Sequence, residues 1–266
     1  MKVFPYRKFE SRLDKILKAI PPLGKALSSF IGALEFFIVE SFRKIDKKFN
    51  VYTMGFVNKH VLRGRWGGKV IPLNKNISLD AKFIPSQEIL ELLQRSKVVG
   101  IGECYCRSTQ RKYEEPNCEN PINSCIHFGL AKSLYEIPYK SVNLKKVSKE
   151  EIVELLEECD KRGLVHQLIY FPNPQFYYIV CNCCPCCCVV LNKFLETGSP
   201  QMIKSDFISK TNLDKCINCG TCETWCYFGA RPLNNGELQF NSRRCFGCGI
   251  CVSKCPNNAI KLIKKT

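Results

Sequence analysis

Eight cysteines near the C-terminus fall into two runs of one spacing. Cys216, Cys219, Cys222 and Cys226 read C-x2-C-x2-C-x3-C; Cys245, Cys248, Cys251 and Cys255 repeat it, and Pro256 completes the second run. Three closely spaced thiolates wrap one face of an iron–sulfur cubane. The x3 gap turns the fourth cysteine away toward the other half. The halves superpose at an offset of 29 residues, which sets Gly220 on Gly249, Ala230 on Ala259 and Leu233 on Leu262. This is an internal duplication. Zinc sites favour paired C-x2-C units, so the double run points to two [4Fe-4S] clusters. Tyr227 stands where the second half has Pro256, a departure that bears on local backbone or access more than on ligation.

Ten further cysteines lie upstream: Cys104, Cys106, Cys118 and Cys125, then Cys181, Cys183, Cys184, Cys186, Cys187 and Cys188. One tetrahedral metal cannot use them all. Consecutive side chains of an extended segment point to opposite sides, so a Cys-Cys pair serves two metal centres or two irons of a larger one. At least one additional Fe–S site is expected here, with zinc and free or regulatory thiols as alternatives. Arg107 is placed to donate hydrogen bonds to cluster sulfur, or else is a surface arginine. His166 is read as a core imidazole, with a ligand or proton donor beside a reactive cluster as the alternative.

The chain has 266 residues, 45% hydrophobic and 24% charged, which excludes a wholly disordered or fibrous protein. Its 19 cysteines are an odd number, and six of them crowd into Cys181–Cys188. Adjacent cysteines seldom meet disulfide geometry, and Met1 to Glu10 is not followed at once by an apolar signal segment. The working compartment is therefore a reducing cytoplasm. Net charge is +16. Each thiolate-bound [4Fe-4S]2+ core subtracts two, so the chain stays basic with two or four clusters. That leaves room for an acidic partner, a membrane surface or nucleic acid.

The elements that must hold these thiols are partly visible. Residues 1–80 form a basic N-terminal region whose apolar stretch 26–40 reads as an amphipathic helix. It is too short, and Glu35 too central, to cross a membrane. It packs on the protein's own core, makes peripheral membrane contact or lies in a partner's groove. Residues 51–80 read as irregular or short strands. Residues 81–200 form a cysteine-rich α/β domain. Ser86 caps a helix to about Arg95, Val98–Ile101 is a short buried strand, and a helix is expected from about Cys125 to Tyr135. Ser148 and Glu151 form a capping box for a helix with Ile152, Leu155, Leu156 and Cys159 on its apolar face and Gly163 as its stop. Cys159 is thus a small buried hydrophobe. Leu164–Tyr170 and Tyr177–Val180 are strands, and Val189–Leu195 is helical. Residues 205–266 are a separate small unit, and the whole is of the α+β class.

Each half of that C-terminal unit resembles half of a bacterial-type two-cluster ferredoxin. The resemblance implies that Cys216, Cys219, Cys222 and Cys255 serve one cluster. It gives Cys245, Cys248, Cys251 and Cys226 to the other. The stretch from Cys104 onward, with Cys104-Tyr-Cys-Arg107, Cys118, Cys125, Gly163-Leu-Val-His166 and Cys181-Asn-Cys-Cys-Pro-Cys-Cys-Cys188, resembles 4Fe-4S ferredoxin-type iron–sulfur proteins of anaerobic bacteria and archaea. The double cysteines are loosely similar to those of heterodisulfide reductase catalytic subunits, with different spacing.

The resemblance implies electron transfer, as a relay or adaptor for an anaerobic oxidoreductase with a redox partner protein. The alternative is a reductase whose Cys181–Cys188 block holds an open catalytic cluster. No G-x-G-x-x-G follows a strand, and Walker A, H-E-x-x-H and G-x-S-x-G motifs are missing. Lysines in 140–150 and 261–265 have no aromatic-and-basic RNA motif beside them, so no nucleic-acid partner is expected.

Overall fold

A computed structural model of the chain describes residues 67–73, 89, 99–113, 118–128, 145–170, 177–198 and 202–265. The apolar stretch 26–40 lies outside them, and of the helix expected from Ser86 only Ile89 is described, helical and buried.

Cys125, Cys181 and Cys183 sit on strands of one seven-stranded sheet, and the other upstream thiols lie beside it. Its strands are β1 (Gly67–Val70), β2 (Val99–Glu103), β3 (Asn123–Phe128), β4 (Lys145–Lys146), β5 (Val165–Tyr170), β6 (Tyr177–Cys183) and β7 (Met202–Ile203), in the order β4-β2-β3-β6-β5-β1-β7. Neighbours run antiparallel except β1 and β7, which are parallel. The sheet therefore draws strands from both sides of the expected boundaries at 80 and 200. The helix expected from Cys125 is instead strand as far as Phe128. Ladders to β2 and β6 on both sides, with Ile126 fully buried, outweigh the local helical pattern there.

Among the described residues, α1 (Tyr105–Tyr113), α2 (Lys149–Lys161) and α3 (Val189–Thr197) accompany the sheet. The α2 capping box forms in full. Ser148 Oγ accepts from the Glu151 amide at 3.2 Å, and Glu151 Oε2 accepts from the Ser148 amide at 2.7 Å. Ile152 and Leu156 enter one core with Ile71, Leu73, Ile126, Leu168 and Val180. Cys159 is fully buried beside Leu164, and burial pushes its thiol up to about 12. Gly163 ends the turn after α2 at a φ of +72°, a conformation that favours glycine.

The C-terminal unit closes on an antiparallel pair, β8 (Phe207–Thr211) with β11 (Ile260–Lys264). Between them lie α4 (Thr221–Thr224), a hairpin of β9 (Leu233–Asn234) and β10 (Glu237–Leu238), and α5 (Ile250–Ser253). The duplication is written in the backbone. Positive φ recurs in offset pairs at Asn218 and Gly247, Gly220 and Gly249, and Gly229 and Asn258.

This unit is docked on the sheet domain. Lys69 of β1 pairs with Asp206 at 3.0 Å. Phe194 of α3 meets Phe246 edge-on at 4.7 Å between ring centroids, and Phe246 stacks on Phe228 at 4.3 Å. Trp225 covers Gly163 so closely that a Cβ there would lie 2.3 Å from the indole. Lys254 sits over that indole at 4.3 Å and donates to the Lys161 carbonyl.

Candidate metal centres

The eight C-terminal cysteines line two separate recesses. Cys216, Cys219, Cys222 and Cys255 line the outer one; Cys226, Cys245, Cys248 and Cys251 line the inner one. The crossed fourth cysteine thus reaches the opposite set in both directions. Duplication extends to the hydrogen bonds. The Ala230 amide donates to Cys226 Sγ at 3.2 Å, and the Ala259 amide to Cys255 Sγ at 3.3 Å. Amides aimed at sulfur are what a thiolate-bound cluster requires, so the residues present fit the group.

The two recesses differ in surroundings. Cys219 is exposed, and hydrogen bonds from the Thr221 hydroxyl and amide hold it below the ordinary thiol range. Leu213 and Ile217, flanking Cys216, are 78% and 63% exposed. The inner recess faces the sheet domain, and burial pushes Cys251 up to about 11.

Sequence proximity does not predict how the upstream thiols group. Six of them close a ring: Cys104 neighbours Cys106 and Cys125, Cys125 neighbours Cys181, Cys181 neighbours Cys183, and Cys183 neighbours Cys188, which returns to Cys106. Cys125 and Cys181 are cross-strand partners of β3 and β6, with their sulfurs 3.9 Å apart. The hydrogen bond with Cys106, helped by burial and opposed by Cys125, pushes the Cys104 thiol up to about 12. Cys118 leaves this group and joins Cys184, Cys186 and Cys187.

Arg107 is fully buried and ties the two groups together; it is not a surface arginine. Its Nη1 donates to Ser124 Oγ at 2.7 Å and to the Pro121 carbonyl. Its Nη2 donates to the Asn182 carbonyl at 3.1 Å and reaches Cys184 Sγ at 3.5 Å. Burial works against its charge, but the sulfurs of Cys104, Cys184 and Cys118 outweigh it and hold the guanidinium above its ordinary range. His166 belongs to the same network. Its Nδ1 lies 2.6 Å from Asn182 Oδ1, and Asn182 Nδ2 donates to the Ser124 carbonyl at 2.8 Å.

The sequence reading misses Arg231 and marks Tyr227 without giving it a partner. Arg231 is 1% exposed, lines the inner recess, and its charge acts on Cys222 of the outer one. Tyr227 donates its hydroxyl to the Gly163 carbonyl at 3.1 Å. Burial, then the charges of Cys248, Cys184 and Cys186, push its phenol up to about 12, so it stands between the inner recess and the upstream thiols. Its departure from Pro256 was the available signal. Arg231 already lies between the two runs in sequence, but only the fold brings its side chain between the two recesses.

These recesses define a ferredoxin-type iron–sulfur protein of the electron-transfer class. Residues 215–260 match the family described as 4Fe-4S dicluster domain. Pyruvate synthase subunit PorD of Methanothermobacter marburgensis is 39% identical over 67 residues, 25% of this chain and 74% of the relative. The delta subunit of NADH-dependent phenylglyoxylate dehydrogenase from Aromatoleum evansii is 37% identical over 43 residues, covering 16% and 46%. A subunit of the ion-translocating oxidoreductase complex of Methanosarcina acetivorans is 38% identical over 47 residues, 18% of this chain and 18% of the relative. Through this unit the chain belongs to the 4Fe-4S dicluster ferredoxin family, as its match to the PorD subunit shows, and it carries a cysteine-rich sheet domain ahead of it. Among the described residues no helix is long and apolar enough to cross a membrane.

Proposed function

We propose that the chain is a redox relay in which a two-cluster ferredoxin unit is docked on a further iron–sulfur centre. Cys216, Cys219, Cys222 and Cys255 hold one [4Fe-4S] cluster; Cys245, Cys248, Cys251 and Cys226 hold the other. The six-thiol ring of Cys104, Cys106, Cys125, Cys181, Cys183 and Cys188 is the upstream site. The clusters supply one-electron transfer. What carries the reading is the bridge at Tyr227 and the Phe228–Phe246 pair, which packs the inner recess into one core with Cys183 and Cys188. The exposed end at Cys219, Leu213 and Ile217 is the face for a redox partner protein. Several similar proteins are named as subunits of oxidoreductase complexes, which supports such a partner. The relay is placed in the cytoplasm, and residues 26–40 remain the segment for any peripheral membrane contact.

Iron and acid-labile sulfide in the anaerobically purified full chain test this. Two cubanes account for about eight irons. More than eight, falling to about eight in Cys183→Ser, is expected. Eight in both proteins leaves the ferredoxin unit as the sole wire and removes the relay.

A further inference from the structure

The sulfurs of Cys118, Cys184, Cys186 and Cys187 all lie within 4.8 Å of one another, with Cys118–Cys184 at 3.7 Å and Cys186–Cys187 at 3.6 Å. We propose that these four thiolates form a closed centre for a single tetrahedral metal ion, zinc by preference, separate from every iron–sulfur cluster of the chain.

Geometry decides the nuclearity. A metal–thiolate bond of about 2.3 Å puts the sulfurs of a tetrahedron about 3.8 Å apart. In a cubane each thiolate radiates from a different iron corner, which spreads the sulfurs to roughly 6 Å. The four upstream sulfurs fit the first figure and are too close for the second. The same chain supplies the contrast. Among the described residues no other set of three or more such donors is drawn this close, although eight cysteines line the two ferredoxin recesses.

The surroundings suit a tetrathiolate that carries net negative charge. Arg107 Nη2 lies 3.5 Å from Cys184 Sγ, and Asn120 Nδ2 donates to Cys118 Sγ at 3.4 Å. Three of the four cysteines are buried, with Cys186 the exposed one. No position is left for substrate, as in structural sites where zinc takes four cysteines. The ion would clamp the loop before β3 to the turn between β6 and α3. Asn192 Nδ2 already braces that turn through the Pro185 carbonyl at 3.0 Å.

The proposal stands whether or not the six-thiol ring holds iron, because its readout is a different count. Zinc, iron and acid-labile sulfide are measured in the anaerobically purified full chain, with X-ray absorption at the zinc edge. About one zinc per chain with four sulfur neighbours near 2.3 Å is expected. Cys186→Ser, at the exposed thiol, should lower zinc occupancy or replace one sulfur scatterer by oxygen, with iron and sulfide unchanged. One extra iron without matching sulfide, lost in the same variant, also establishes the site, with iron as its ion. Loss of about four irons together with their sulfide in Cys186→Ser overturns the proposal. So does a wild-type chain with no zinc and with iron matched by sulfide. The wild-type spectrum depends on no variant, so a folding failure cannot shelter the idea.

Discussion

Replacing Arg231 by Met should make both ferredoxin clusters harder to reduce. Arg231 Nη1 donates to Thr211 Oγ1 at 2.8 Å, and the guanidinium lies 5.0 Å from the Phe240 ring centroid. Its Nε and Nη2 have no oxygen or nitrogen partner, and its charge acts on Cys222 of one recess and Cys251 of the other. Its separation from each cluster centre enters the Coulomb estimate as roughly 7 Å. At an effective dielectric constant of about 20 that is about 2 kcal/mol per added electron, or roughly 100 mV. The sign follows from charge: the cation favours the more negative, reduced cluster. Arg231→Met keeps most of the apolar volume and removes the charge, so each potential should fall by roughly 50–100 mV. Redox titration followed by electron paramagnetic resonance reads both, with exposed Arg243→Met as the solvent-screened control. A shift below about 20 mV, with cluster iron retained, would refute the electrostatic reasoning.

Gly163→Ala meets both a positive φ and the Trp225 ring, and should weaken docking by about 1–3 kcal/mol; faster amide hydrogen exchange along the Gly163–Trp225 contact is the readout, and unchanged exchange counts against it. Tyr227→Phe loses only the bond to the Gly163 carbonyl and should cost about 1 kcal/mol in urea unfolding. Ser148→Ala removes the capping box and should cost about 1 kcal/mol, read the same way. Burial holds His127 down at about 4 against an ordinary 6.5, so the native imidazole is neutral where the unfolded one gains a proton. Stability should therefore fall by about 2 kcal/mol from pH 7 to 5, and His127→Phe should flatten that slope.

Local signals were legible where a local cause produces them. The α2 capping box, the Gly163 stop and strands β5 and β6 follow from neighbours a few residues apart, and so do the two C-x2-C-x2-C-x3-C runs. What failed were features decided across the chain. Cys125 to Phe128 becomes strand because β2 and β6 pair with it on both edges, and β1 enters the sheet through its ladder to β5. Cys118 groups with residues 66 and more positions away, a partnership that sequence spacing does not show. Arg231 acquires meaning only between two recesses that the fold assembles.

The upstream cysteine block makes sense as a consequence of backbone geometry. Along an extended or tightly turning chain, adjacent side chains must diverge. Cys183 accordingly faces the ring while Cys184 faces the compact set, and the pattern reverses at Cys187 and Cys188. Cys188 also caps α3, its sulfur accepting from the Leu191 amide at 3.5 Å. The helix that starts on the ring thus carries Phe194 to Phe246 of the inner recess. An ion clamping Cys184, Cys186 and Cys187 would fix the backbone on which the Cys183 and Cys188 sulfurs are mounted. Loss of that ion should disturb the ring before it disturbs the ferredoxin recesses. Those recesses are held by their own duplicated turns at Asn218, Gly220, Gly247 and Gly249.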